Sequence, residues 1–102
     1  MRWMSVLKQN PDADSIAELW ATNDAQFYKG LLDDINFLIG RGHDHEEIMS
    51  VLPQILSEKM SIVSGFTQEL DEKDVGLSEI DWEKVAEQFN ELIRDMIDDA
   101  KV

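Results

Sequence analysis

A short segment with two histidines and three acids, residues 43–47 (HDHEE), is the first place in this chain where side chains could bind a metal. Imidazole and carboxylate groups are both common metal ligands. At a helix start, however, His43 and His45 point in different directions, and the chain has no cysteine and no further histidine for a tetrahedral zinc site. A carboxylate-rich helical site would use Glu-x-x-His pairs, and none occurs. We therefore expect helix capping here, and we predict no metal site and no cofactor.

The residues that could carry out catalysis lack the neighbours they would need. Serines occur without the G-x-S-x-G turn of a nucleophile elbow, and no glycine-rich phosphate loop is present. Adjacent carboxylates such as Asp33-Asp34 and Asp98-Asp99 diverge by about 100° on a helix, which does not suit paired acid–base chemistry. We predict no catalytic residues and no enzyme activity.

A row of five acidic residues spaced four positions apart is the most unusual pattern in the sequence. This acid row consists of Glu83, Glu87, Glu91, Asp95 and Asp99. On one helix, successive members would rise by about 6 Å and form a curved line of negative charge. Each like-charge pair at this spacing destabilises a helix by about 0.2–0.5 kcal/mol, whereas a merely soluble helix usually alternates the sign of its charges. We interpret the acid row as a partner-binding surface; the alternative is that it only solubilises the protein.

The acid row lies on the outer side of the clearest predicted helix, at about residues 78–100. The apolar residues of this segment recur at spacings of three and four, which is the pattern of one buried helix face. They are Trp82, Val85, Ala86, Phe89, Leu92, Ile93 and Met96. The pattern predicts a single C-terminal amphipathic helix with one core-facing side and one acidic side.

The first predicted helix begins after Pro11, because the polar and acidic residues that follow suit a helix N-terminus. Ile16, Leu19 and Trp20 continue one apolar face of this helix. The polar residues 21–24 then predict a break before the next helix. We expect the helices of this upstream part of the chain to pack against the apolar face of the C-terminal helix.

Two more helices are predicted between residues 24 and 63. The first starts at Asp24 and ends at the glycines of residues 40–42, since glycine readily adopts the left-handed conformation that closes a helix. The second starts with Asp44 as its cap and is either kinked or restarted at Pro53, which lacks a backbone donor. Residues 64–65 and 71–76 contain glycine or polar clusters and are expected to be loop.

These patterns predict an all-α fold, a small single-domain bundle of four or five helices spanning residues 1–102. A chain of 102 residues has the size of one domain with one modest core. No strand is convincingly signalled. Residues 1–10 form a short amphipathic segment that ends before Pro11, and we expect it to act as a lid or docking arm.

The charge of the chain limits the partners that it could bind. It has 22 acids and 9 bases, a net charge of −13. Such a surface repels nucleic acid and anionic lipid and attracts basic proteins, so we expect no direct nucleic-acid binding and no membrane association. No apolar run approaches the ~18–20 residues of a membrane span, and cysteine is absent. These features favour a cytoplasmic protein.

Two functional hypotheses follow. The first is an acidic protein-interaction module that mimics nucleic acid and inhibits another protein by occupying its basic nucleic-acid-binding surface. In size and charge, the chain resembles the small acidic antagonists that phages and plasmids encode against restriction, CRISPR and repair enzymes; no motif accompanies this resemblance, and no family is identified. Trp3, beside Arg2 and Lys8, is predicted to be an exposed partner-binding anchor.

The second hypothesis is an adaptor or assembly subunit that contacts its partner through an apolar helix face. Trp3, Met4 and an exposed Ile97 would make that contact, and the acids would only solubilise the protein. Because Ile97 lies outside the apolar stripe of the last helix, a homodimer is one form that this alternative takes.

Overall fold

Six α-helices and one short 3-10 helix make up residues 11–101, the part of the chain that the computed structural model describes, with side chains from residue 13 onward. These residues contain no strand and form a small all-α bundle, which confirms the predicted fold class with one helix more than expected. Among them, no helix is both long enough and apolar enough to cross a membrane. The elements are α1 (Pro11–Asn23), α2 (Ala25–Gly40), α3 (His45–Met60), α4 (Ser64–Glu72), the 3-10 helix (Leu77–Glu79), α5 (Trp82–Glu87) and α6 (Asn90–Ala100).

The predicted start and end of α2 and the predicted start of α3 are confirmed, because local side-chain chemistry sets them. The Asp24 carboxylate accepts a hydrogen bond from the Phe27 N–H at 3.1 Å and so separates α1 from α2. At the end of α2, Gly42 has a φ of +92°, which favours glycine. Asp44 and Glu47 form a reciprocal capping box at the start of α3, with hydrogen bonds of 2.9 and 3.0 Å.

Pro53 lies inside α3, and the helix continues through it without restarting. A proline in a helix interior costs about 3 kcal/mol, because it removes one hydrogen bond and crowds the preceding turn. Burial of the inner face of α3 offsets this cost, because each buried apolar side chain stabilises the fold by about 1.5–3 kcal/mol. The buried residues are Ile48, Leu52, Leu56 and Met60.

Helix α4 was not predicted, and both of its ends, residues 64–65 and 71–72, fall where the sequence predicts loop. Val63 occupies its N-cap position and makes no side-chain hydrogen bond to the helix. After the helix, the left-handed position is taken by Asp74, with a φ of 57°, rather than by glycine. Both ends therefore lack their usual sequence signals. The helix forms because Phe66 and Leu70, one turn apart, are buried in the core.

The prediction of a single helix over residues 78–100 is wrong, because a turn at Gln88 and Phe89 divides that segment into α5 and α6. The N–H groups of Gln88 and Phe89 donate to carbonyls three positions back, at 3.1 and 2.9 Å, instead of four. Phe89 is 2% exposed and packs beside the ring of Tyr28 on α2, with ring centroids 6.4 Å apart. The turn thus directs a large aromatic side chain into the core.

The inner face of α1 also differs from the predicted one. Leu19 is 60% exposed, and Ile16 and Trp20 are only partly buried. Alanines with no exposed surface face the core instead, and their small side chains allow α1 to approach its neighbours closely. These residues are Ala13, Ala17 and Ala21.

An aromatic cluster joins α1, α4 and α5. The ring of buried Phe66 lies edge-on between Trp20 and Trp82, at centroid distances of 6.3 and 6.5 Å. The Trp20 Nε1–H donates to Glu69 Oε1 at 2.9 Å. A Cβ atom added to Gly65 would lie only 2.6 Å from the Trp20 indole. Glycine at this position therefore allows the indole to lie directly against α4.

We expect Phe89→Ala to lower the free energy of unfolding by about 3–5 kcal/mol, because it leaves a cavity between α2 and the turn. Chemical denaturation measures the change. Phe37→Ala is the matched control, since Phe37 is 63% exposed and should lose less than about 1 kcal/mol. Equal effects of the two substitutions would contradict a buried position for Phe89.

We expect Gly65→Ala to destabilise the protein by about 1–2 kcal/mol, because overpacking against the indole outweighs the better helix propensity of alanine. Gly40→Ala is the control, since nothing lies within 4 Å of a Cβ added there. That variant should be as stable as the wild type or slightly more stable. A gain in stability for Gly65→Ala, measured by the same denaturation experiment, would show that the indole moves aside without cost.

Candidate functional site

The structure places all five members of the acid row on the surface, on two helices rather than one. Glu83 and Glu87 are exposed on α5, and Glu91, Asp95 and Asp99 are exposed on α6. The turn between α5 and α6 therefore interrupts the predicted continuous line after its second member. Within each helix the spacing of four is kept, so neighbouring carboxylates of one helix still lie on the same side.

No member of the acid row forms an ion pair with a basic residue in the described part of the chain. The nearest bases in the sequence do not neutralise it. Lys84 directs its Nζ toward Asp14 on α1, 3.9 Å from Oδ2. Arg94 is exposed and makes no ion pair with any described residue. The charge of the acid row is thus available to a partner.

The C-terminal end of α6 adds further negative charge where a helix least favours it. Its last turn contains Asp98 and Asp99 and no basic residue. The carbonyl end of a helix carries a partial negative charge, so an acid there costs about 0.3–1 kcal/mol at low ionic strength. The acids on α6 are therefore not explained by the stability of the helix itself.

A buried carboxylate that the sequence pattern did not reveal fixes the start of α5. Asp14 is 5% exposed, and its Oδ1 accepts a hydrogen bond from the Asp81 N–H at 2.7 Å. The Asp81 carboxylate in turn caps α5 by accepting from the Lys84 N–H at 3.2 Å. Asp14 and Asp81 are 67 positions apart, so no local pattern could have indicated this contact. The orientation of Glu83 and Glu87 depends on it.

An open groove of about 550 Å³ lies between α3 and α5, beside the first part of the acid row. Glu83 and Glu87 line one side together with Lys84, whose Nζ is directed toward Asp14, and Met49 and Pro53 line the other. Carboxylates on one wall and apolar atoms on the opposite wall suit the long side chain of lysine or arginine, whose stem is apolar and whose end is charged. The groove gives the acid row a shaped feature in addition to its charge.

The HDHEE segment serves as a helix start. Asp44 and Glu47 are used in the capping box of α3, and His43 Nδ1 lies 3.5 Å from Glu47 Oε1 at the surface. Among the residues that the structure describes, no group of three or more His, Cys, Asp or Glu side chains is arranged to hold a metal ion.

The other predicted contact residues have different outcomes. Trp3 and Met4 lie outside the described residues, so their predicted role stays a prediction. Ile97 is partly buried and packs against the core, so it is not the exposed contact that the sequence suggested. Within residues 13–101, the large apolar side chains that are exposed are instead Leu19, Phe37, Val51 and Ile62.

Comparison with protein-family models, with curated proteins and with solved structures finds no match to this chain.

Proposed function

We propose that this protein is an acidic interaction module that inhibits a nucleic-acid-binding protein by occupying its basic surface. The observation that carries the proposal is the exposed acid row on α5 and α6, which no basic residue neutralises within residues 13–101. A carboxylate row of this kind presents hydrogen-bond acceptors and negative charge to lysine and arginine, as a nucleic-acid backbone does.

The acid row destabilises the helices that carry it, which supports a role in binding rather than in folding. Three like-charge pairs spaced four apart remain within the two helices, one on α5 and two on α6, and each costs about 0.2–0.5 kcal/mol. The acids at the end of α6 add an unfavourable interaction with the helix dipole. An opposing basic surface would remove both costs on binding. Selection for fold stability alone would favour alternating charges instead.

The proposed function is binding alone, with no catalytic step, no cofactor and no direct contact with nucleic acid. A net charge of −13 attracts a basic partner over a distance and raises the association rate. The acids of one helix rise by about 6 Å per step, whereas phosphates of one strand are about 3.4 Å apart along the duplex axis. The likeness to nucleic acid is therefore one of charge and acceptor chemistry rather than of spacing. We place this interaction in the cytoplasm.

An adaptor or assembly subunit, which could be a homodimer, is the second candidate. Two exposed apolar side chains favour it, Leu19 at 60% and Ile62 at 83% exposure. Under this alternative, apolar contacts supply the affinity and the acids only solubilise the protein. Binding would then change little with ionic strength, because burial of apolar surface is weakly affected by charge screening.

The test starts with affinity capture of a partner from nuclease-treated cell lysate, followed by competition with a DNA or RNA oligonucleotide. We expect nucleic acid to displace the captured partner, because both ligands occupy the same basic surface. In association kinetics, a variant carrying Glu87→Gln, Glu91→Gln and Asp95→Asn should bind more slowly and with a flatter salt dependence. Its thermal stability should be unchanged or slightly higher, since like-charge repulsion is reduced.

The matched control removes the same number of negative charges elsewhere, by Asp33→Asn, Glu46→Gln and Glu72→Gln, all exposed positions outside the acid row. This control should keep most of the association rate and salt dependence. If both triple variants slow association equally, only net charge matters. If neither triple variant slows association and nucleic acid does not displace the partner, the protein is better described as an adaptor or assembly subunit.

A further inference from the structure

A second surface, distinct from the acid row, surrounds the indole of Trp20. An open cleft of about 360 Å³ lies between α1 and α4, lined by Ile16, Leu19 and Trp20 with Asp24 and Glu69 at its edges. We call it the Trp20 cleft. Its centre is apolar, and Leu19 leaves 60% of its surface exposed there. An apolar hollow of this size fits one large apolar side chain.

Two carboxylates at the edge of the Trp20 cleft are held in place by single hydrogen bonds. Asp24 Oδ1 accepts from the Phe27 N–H at 3.1 Å, and Glu69 Oε1 accepts from the Trp20 Nε1–H at 2.9 Å. The second oxygen of each carboxylate has no hydrogen-bond partner among the described residues. Two fixed carboxylates with free acceptor oxygens are suited to the ammonium or guanidinium group of a ligand.

The Trp20 indole also borders a neighbouring pocket. A second open pocket, of about 450 Å³, shares Trp20 and Asp24 with the cleft and reaches Ile62 at the end of α3. Ile62 is 83% exposed. The base in this pocket, Lys59, is already paired with Asp34 at 3.2 Å. Exposed apolar side chains thus adjoin the indole in both pockets, and Lys59 does not pair with the carboxylates of the cleft.

We propose that the Trp20 cleft binds a segment of a partner protein in which a large apolar side chain is flanked by lysine or arginine. The apolar side chain enters the cleft beside Leu19 and Trp20, and the flanking bases bind Asp24 and Glu69. Charge complementarity selects this occupant, because the charged residues that line the cleft in the described chain are both acids. This inference goes beyond the proposed inhibition, since no residue of the acid row lines the cleft.

The test uses a short synthetic amphipathic peptide with leucines on one face and lysines on the other, titrated into the protein of residues 1–102. The readout is the NMR signal of the Trp20 indole N–H, identified by its loss in Trp20→Phe. We expect saturable movement of this signal. Leu19→Ser and Glu69→Gln should each weaken binding about fivefold or more. Glu69→Gln retains a carbonyl acceptor for the indole, so the site keeps its shape.

Three controls isolate the cleft. Phe37→Ser removes an equally exposed apolar side chain outside the cleft and should bind the peptide as the wild type does. The variant Glu87→Gln, Glu91→Gln and Asp95→Asn should also leave the Trp20 response intact, which separates this inference from the proposed function. A peptide with glutamates in place of the lysines should not bind.

Several results would overturn the inference. The peptide could leave the Trp20 signal unmoved, or bind only through the acid row and be lost in that triple variant. The signal could shift with protein concentration, which would identify a second copy of the chain as the occupant. It could also shift on Trp3→Ser in the free protein, and the occupant would then be the chain's own residues 1–10.

Discussion

Burial of Phe89 is the constraint on which the arrangement of the C-terminal third depends. A phenylalanine side chain stabilises the fold by about 1.5–3 kcal/mol when it leaves water. This gain exceeds the cost of replacing the α-helical hydrogen bonds of one turn by bonds to carbonyls three positions back. Phe89 reaches the core beside Tyr28 only because the backbone tightens at residues 88–89. The turn lets α5 lie along α1 and α3 while α6 packs on α2 and α3. It also divides the acid row between two helices.

The core and the acidic surface are connected through the ends of α5. Asp14 ties the start of this helix to α1 through the Asp81 N–H, and Phe89 holds the turn that follows it. Between these two anchors, Glu83 and Glu87 project from a short and well-fixed helix. The stabilisation from the apolar core therefore outweighs the like-charge repulsion within the acid row, which costs about 1 kcal/mol in total. The Trp20 cleft lies beside α1, whose alanines occupy the core and leave larger side chains at the surface.

Local chemistry allowed the sequence to determine much of the fold. The caps at Asp24 and Asp44 and the left-handed turn at Gly42 are local features, because the groups that interact lie within a few residues of one another. Apolar spacing likewise identified the buried face of the C-terminal segment. The exposure of the acid row followed from the same periodicity, since the acids lie opposite an apolar stripe.

Tertiary contacts decided the rest. Helix α4 has neither a side-chain cap nor a closing glycine, and its stability depends on Phe66 packing between two tryptophans from distant parts of the chain. The inner face of α1 was misassigned because larger apolar residues outweigh alanine in a periodicity argument, whereas close packing in this bundle favours alanine. Asp14 binds a group 67 positions away. Sequence periodicity reports which side of a helix is apolar; only the packed bundle decides how closely each helix approaches and where it must turn.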